Sequence, residues 1–312
     1  MTVRAKVKHS PGDAGGFGPR TIPPPPVSYQ GSKATLAASI IDIIAPDPDA
    51  PFWDLCCGGG SVALEAIRRG HRPESVTLVD AGPWGEVWRD IGAGTFGLVL
   101  LRALLRDVPR DPAHVHAHMA WLSRQPVAAV DRPAVFLVLQ AASFGGRAIG
   151  WGRDGWMHSG WRRLWEPTAT SVRRSRNLPM APSPDTLYAR VERICEALCG
   201  VRGVHADVRA TQPTGIVYID PPYTGTTGYP ALAFDVLGFA RARAVTCWVS
   251  ERVPITPHAT QLRDRRVGGI TGGHGATRSE WLSLVAGAAP PRTPLPLTSG
   301  VSAASPTESE NR

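Results

Sequence analysis

One short run constrains the fold more than any other: Ile216-Val217-Tyr218-Ile219-Asp220-Pro221-Pro222-Tyr223. The apolar stretch Gly215–Asp220 reads as a buried strand. The two prolines cannot continue it inside a sheet, because neither supplies a backbone N–H. They fix a stiff turn that holds Asp220 and Tyr223 at the carboxyl edge of the sheet, where α/β domains bind ligands. A carboxylate and a backbone carbonyl there can accept both hydrogens of an exocyclic amino group. An aromatic ring beside them can stack on a flat base. Asp220, Pro221, Pro222 and Tyr223 are therefore the candidate catalytic residues. As a bare four-residue match this could be a chance turn; after an apolar strand, and downstream of the features described next, chance is a minor reading.

Upstream, Phe52-Trp53-Asp54-Leu55-Cys56-Cys57-Gly58-Gly59-Gly60-Ser61 passes from a strand through a glycine turn into a helix. Glycines at such a turn let a ligand approach the backbone, and the helix start offers free N–H groups. An ordinary glycine-rich turn would look the same. Twenty positions after Gly60, the strand Val76–Asp80 ends in a carboxylate, where a nucleoside-binding sheet takes ribose hydroxyls. That spacing favours a nucleoside ligand. The pattern is not GxGxxG, so a dinucleotide is disfavoured.

The rest of the chain alternates in the same way. Helices are expected over Ala34–Ile44, Val62–Arg69, Phe96–Leu105, Ala113–Leu122 and Thr186–Leu198, and strands over Pro51–Leu55, Ala244–Ser250 and Glu280–Val285. The apolar run Ala134–Ala142 fits either type. This alternation predicts an α/β domain with a mainly parallel sheet. Residues 1–26 and 286–312 hold too few large apolar groups to offset chain entropy, and both are expected to be disordered tails. The folded body then comprises 27–142 and 184–285, interrupted by an inserted lobe over 143–183.

That insertion has its own chemistry. Between Arg147 and Arg176 lie seven arginines against two acids, with Trp151, Trp156, Trp161 and Trp165 interleaved. Guanidinium groups bind phosphates and guanine edges. The tryptophans read mainly as core and the arginines as a nucleic-acid contact. The whole chain carries +8, and only Lys6, Lys8 and Lys33 are lysines. This suits a polyanionic partner, and equally an arginine-biased genome. No apolar run approaches a membrane span, the start lacks an apolar signal core, and five cysteines are too few for a disulfide scaffold. A cytoplasmic protein without a membrane association is expected. His114, His116 and His118, and Cys195, Cys199 and His205, lack a zinc spacing, so no metal is expected. The two cysteines read instead as a buried helix face.

In the order of these blocks, the chain resembles the Dam-like DNA adenine-N6 methyltransferases, including those of phages and restriction systems. Tyr29-Gln30-Gly31-Ser32-Lys33 is similar to the family's opening motif, Phe52–Val62 to its methyl-donor loop, and Asp80 to its ribose-binding acid. Asp220–Tyr223, continued by residues 224–229, is similar to its catalytic motif. Weaker echoes are Ser143–Gly146, Asp207 and Ser279-Glu280-Trp281-Leu282. The resemblance implies a Rossmann-like methyltransferase sheet with an inserted target-recognition lobe, and S-adenosylmethionine as donor. It implies donor contacts from Tyr29, Lys33, Asp54, Cys56, Gly58, Gly59, Gly60, Ser61, Asp80 and Asp207. Double-stranded DNA would be held by Arg147, Arg153, Arg162, Arg163, Arg173, Arg174 and Tyr229, with the target base flipped out, by a monomer or weak dimer. Cytosine N4 or an RNA adenine as acceptor, or a catalytically weak DNA-binding relative, are the alternatives. The chain departs from the family at Leu55 and Cys56, where Pro and Phe are usual, at Gly82 in place of Asn, and at Val208 in place of Phe.

Overall fold

A computed structural model describes residues 22–172, 174–223, 234–266 and 277–287. The helices are α1 (Ala37–Ile44), α2 (Ser61–Arg68), α3 (Pro83–Gly92), α4 (Leu98–Arg106), α5 (Pro112–Leu122), α6 (Arg132–Ala142), α7 (Pro184–Ala197) and α8 (Val236–Arg241). The strands are β1 (Phe52–Leu55), β2 (Val76–Asp80), β3 (Gly150–Gly152), β4 (Gly155–Met157), β5 (Arg202–His205), β6 (Ile216–Ile219), β7 (Cys247–Glu251), β8 (Ala259–Arg266) and β9 (Thr277–Val285). The protein is α/β. Its main sheet has seven strands in the order β5-β2-β1-β6-β7-β9-β8. The first five are parallel, and β9 runs antiparallel to both β7 and β8.

The chain leaves β1 toward β2 and β5, then returns to the other side of β1 to lay down β6 and β7. Connections from β1 and β6 thus depart in opposite directions. Their carboxyl ends flank the crevice in which sheets of this kind bind ligands. Two-residue alternation decides which side chains reach it. Phe52, Leu78 and Tyr218 enter the core under α1 to α7, whereas Trp53, Leu55, Val79, Val217, Ile219 and Val249 enter a second, smaller core that includes residues of α8. Asp54 pairs in register with Tyr218.

The ambiguous run Ala134–Ala142 is helical and buried all round within α6, which is why it shows no amphipathic period. Helix α3 was not legible in the sequence. It lies so close to β5 that a Cβ on Gly203 would come 2.1 Å from the Arg89 backbone nitrogen. Only glycine fits there, and a glycine inside a strand obscured β5 as well.

Two expected boundaries shift. Ile22–Pro26 does not behave as part of a free tail: Pro23 and Pro26 are buried, and Ile22 packs on the core. Residues 1–21 and 288–312 lie outside the described residues. The 143–183 stretch contributes the hairpin β3–β4, yet Ile149, Trp156, Trp161 and Met180 join the main core rather than a core of their own. The buried face of α7 is Leu187, Val191 and Ile194. Cys195 is only partly buried and Cys199 is exposed, which corrects the expectation of a buried cysteine face. Among the described residues, no helix is long and apolar enough to cross a membrane.

Candidate active site

Three strand ends and one loop converge on the crevice. At the end of β1, Cys56 adopts a left-handed φ of 58° and Gly60 one of 68°. These conformations turn the chain sharply from strand into α2. A Cβ on Gly60 would meet Trp88 at 2.7 Å. Trp88 in turn donates its indole N–H to the Gly58 carbonyl at 2.7 Å, so the glycine loop is fixed from below. The opening loop packs across it. Tyr29 lies edge-on to Trp84, and the hydroxyls of Ser32 and Ser61 are 3.1 Å apart.

The resulting cleft is lined by Tyr29, Gly31, Ser32, Lys33, Asp54, Cys56, Cys57, Gly58, Gly59, Ser61, Val62, Tyr218 and Asp220. Seven of the expected donor residues therefore line one surface: Tyr29, Lys33, Asp54, Cys56, Gly58, Gly59 and Ser61. Gly60 turns the loop behind it. Asp80 accepts the Gly58 N–H at 3.0 Å and the Gly82 N–H at 2.7 Å, one residue behind the wall. Asp207 is not among the lining residues. Its carboxylate accepts from the Arg209 backbone and guanidinium, and that bonding holds it below the usual carboxylate range.

Asp54 is 1% exposed. One carboxylate oxygen accepts the Ala63 N–H at 3.0 Å at the start of α2. The other is buried with no hydrogen-bond partner. Burial pushes its pKa up to about 8, with smaller contributions from Asp220 and Asp80. Burial likewise raises the Cys56 and Cys57 thiols well above their ordinary range. They stay protonated and are unsuited to nucleophilic attack.

The Lys33 side chain is the centre of the site. It is 7% exposed, and its ammonium donates to both Asp220 oxygens, at 2.6 and 2.7 Å. Glu280, on β9, lies 3.5 Å from the same nitrogen and accepts a hydrogen bond from the Tyr223 hydroxyl. The ammonium is also 4.9 Å from the Tyr223 ring centroid. Burial raises Asp220 and Glu280 above ordinary carboxylates, and Lys33 offsets part of that rise in both. Lys33 thus bridges a carboxylate pair, and Tyr223 is tied by its hydroxyl.

Neither the scan against family models nor the search of curated proteins finds a match for this chain.

The sequence reading missed two things that the fold assembles: the role of Glu280 and the Lys33–Asp220 ion pair. Glu280 carried two signals, a place in the weak echo Ser279-Glu280-Trp281-Leu282 and its being a lone acid before the apolar end of β9. The ion pair carried none. Of the expected DNA contacts, Arg147, Arg153, Arg163 and Arg174 are exposed and Arg162 is half-buried. Arg173 and Tyr229 lie outside the described residues. Among the described residues, no group of His, Cys, Asp or Glu could hold a metal ion.

Proposed function

We propose that the protein is a site-specific DNA methyltransferase with a Rossmann-like sheet. It transfers the methyl group of S-adenosylmethionine to the exocyclic amino group of an adenine flipped out of double-stranded DNA. The observation that carries this reading is Asp220: a largely buried carboxylate at the sheet's switch point, with both oxygens already receiving N–H donors from an amine. A substrate amino group presented there would meet a carboxylate already set to accept N–H donors, beside the Pro221 carbonyl.

The donor's chemistry suits the residues present. S-adenosylmethionine would supply an electrophilic methyl group on a positively charged sulfur, and it also carries an ammonium group. Asp54 and Asp220 line the cleft, Asp80 and Glu280 stand behind its wall on Gly58 and Lys33, and Lys33 is the cation at its centre. The unpartnered Asp54 oxygen is left to hydrogen-bond a bound donor, and an incoming ammonium would favour its ionised, accepting form.

The chain's own part in the reaction is positioning and electrostatics. Adenine's amino nitrogen is a weak nucleophile because its lone pair is delocalised into the ring. Acceptance of its hydrogens by Asp220 and the Pro221 carbonyl favours a more tetrahedral nitrogen. Holding two reactants in line can be worth roughly 7–11 kcal/mol. A duplex buries the amino group, so the base is unstacked first at a few kcal/mol, and Tyr223 offers a ring to receive it. The exposed arginines of the 143–183 stretch supply phosphate contacts.

The test is incubation with methyl-labelled S-adenosylmethionine and, separately, unmethylated duplex DNA, single-stranded DNA and RNA, followed by digestion and mass spectrometry. N6-methyladenine from duplex DNA is expected. Label confined to N4-methylcytosine or to RNA overturns the acceptor assignment, and no label anywhere overturns the reaction.

A further inference from the structure

We propose that Glu280 is a positioning residue that receives the Lys33 ammonium when a substrate amino group takes its place on Asp220. The inference rests on the function proposed above and extends it to a residue on a different strand.

The geometry sets a conflict. Both Asp220 oxygens are occupied by the Lys33 nitrogen, at 2.6 and 2.7 Å. A substrate amino group needs at least one of them. If Lys33 simply withdrew, an ammonium that is 7% exposed would be left in a buried site without an anionic partner, an arrangement that costs far more than an exposed ion pair gains. Glu280 removes that cost. Its carboxylate is 15% exposed and stands 3.5 Å from the same nitrogen, so a shift of about an ångström exchanges one carboxylate for the other.

Glu280 also controls Tyr223. It accepts the phenol hydrogen, and it does so from β9, which belongs to the antiparallel end of the sheet rather than to the Asp220 turn. The ring is thereby held from outside its own loop, beneath the Lys33 ammonium and 5.4 Å from the Arg252 guanidinium. One carboxylate thus serves both the cation that must move and the ring that must stay.

The variants Glu280→Gln and Tyr223→Phe separate the two duties. The amide keeps an acceptor for the phenol and loses the charge that Lys33 needs. The phenylalanine keeps the ring and the charge and loses the phenol bond. Full-length proteins are compared in single-turnover methylation of duplex DNA, with KM for DNA, S-adenosylmethionine affinity by calorimetry and the melting temperature read alongside. Glu280→Gln is expected to slow transfer by about 10- to 100-fold with DNA KM and donor affinity within about 2-fold of wild type, and to be slower than Tyr223→Phe. A wild-type transfer rate in Glu280→Gln overturns the role while leaving the proposed function standing. A loss no greater than that of Tyr223→Phe reduces Glu280 to a tether for the phenol and also overturns it. Parallel loss of donor affinity and melting temperature marks a purely structural residue and overturns it as well. A wild-type protein that methylates no duplex overturns the parent reading, and this role with it.

Discussion

Lys33 and Asp220 are separated by 187 positions in the chain, and their charged atoms lie 2.6 Å apart. This pairing ties the opening loop to the end of β6 and sets the electrostatics of the whole cleft. Lys33→Met would leave Asp220 and Glu280 facing each other without a cation. Breaking a buried pair from one side costs about 3–5 kcal/mol. The sign follows from the carboxylates. Without Lys33 both would bind protons more tightly in the folded state, so the loss is full at neutral pH and shrinks as acid protonates them. Urea unfolding at pH 7.5 and pH 5 checks this, and an equal loss at both values would contradict it.

Asp220→Asn should lower methyl transfer by more than about 100-fold, the scale of removing one preorganised electrostatic partner. Donor binding is expected to survive, because Asn keeps the size of the side chain and one carbonyl acceptor. Single-turnover kinetics beside calorimetry would show it. Near-normal transfer by the variant would remove Asp220 from the mechanism.

The Asp54 carboxyl provides a pH signature. Its folded-state pKa is raised to about 8 by burial, above an ordinary value near 3.9. A raised pKa contributes stability that is fully present below the ordinary value and is lost as pH climbs through the raised one. The ligand-free protein should therefore lose stability between about pH 4 and pH 8 through this group. Asp54→Asn should abolish that decline and melt higher than wild type at pH 8, with little difference at pH 4. Parallel melting curves across the range would show that Asp54 does not titrate in this way.

For Asp80, the hydrogen bonds to Gly58 and Gly82 add a second duty to the expected ribose interaction: the side chain shapes the glycine loop. Asp80→Ala should weaken S-adenosylmethionine binding by about 1.5–3 kcal/mol, or roughly 10- to 150-fold. Calorimetry is the measurement. An unchanged affinity would place the ribose elsewhere.

DNA binding should be separable from donor binding. Arg153 and Arg163 are both exposed, so changing them together to Ala should leave the fold intact. DNA affinity is expected to fall. The slope of its logarithm against salt should drop by about one unit for each phosphate that is no longer neutralised. Donor affinity should not change. A salt titration of DNA binding beside a donor titration reads both. Retained DNA affinity would move the DNA-binding face away from this stretch.

What short-range rules encode was legible along the chain. Two prolines after Ile219 had to end a strand, three glycines after Cys57 had to turn the chain into a helix, and apolar runs placed Asp80 and Asp220 at strand ends. Each outcome depends on one residue's φ, one missing N–H or a short apolar stretch, so it is legible within about ten positions. Strand order was not legible, and β5 and α3 were hidden because their mutual approach rests on Gly203 and not on any amphipathic stripe. Nor could the sequence pair Lys33 with Asp220, or bring Glu280 to the same nitrogen. An ion pair has no local period and no propensity: it forms only where folding holds two distant backbones at a fixed separation and withdraws both charges from water. That decision belongs to the sheet, which sets β6 beside β1 and carries β9 around to the far side of β7.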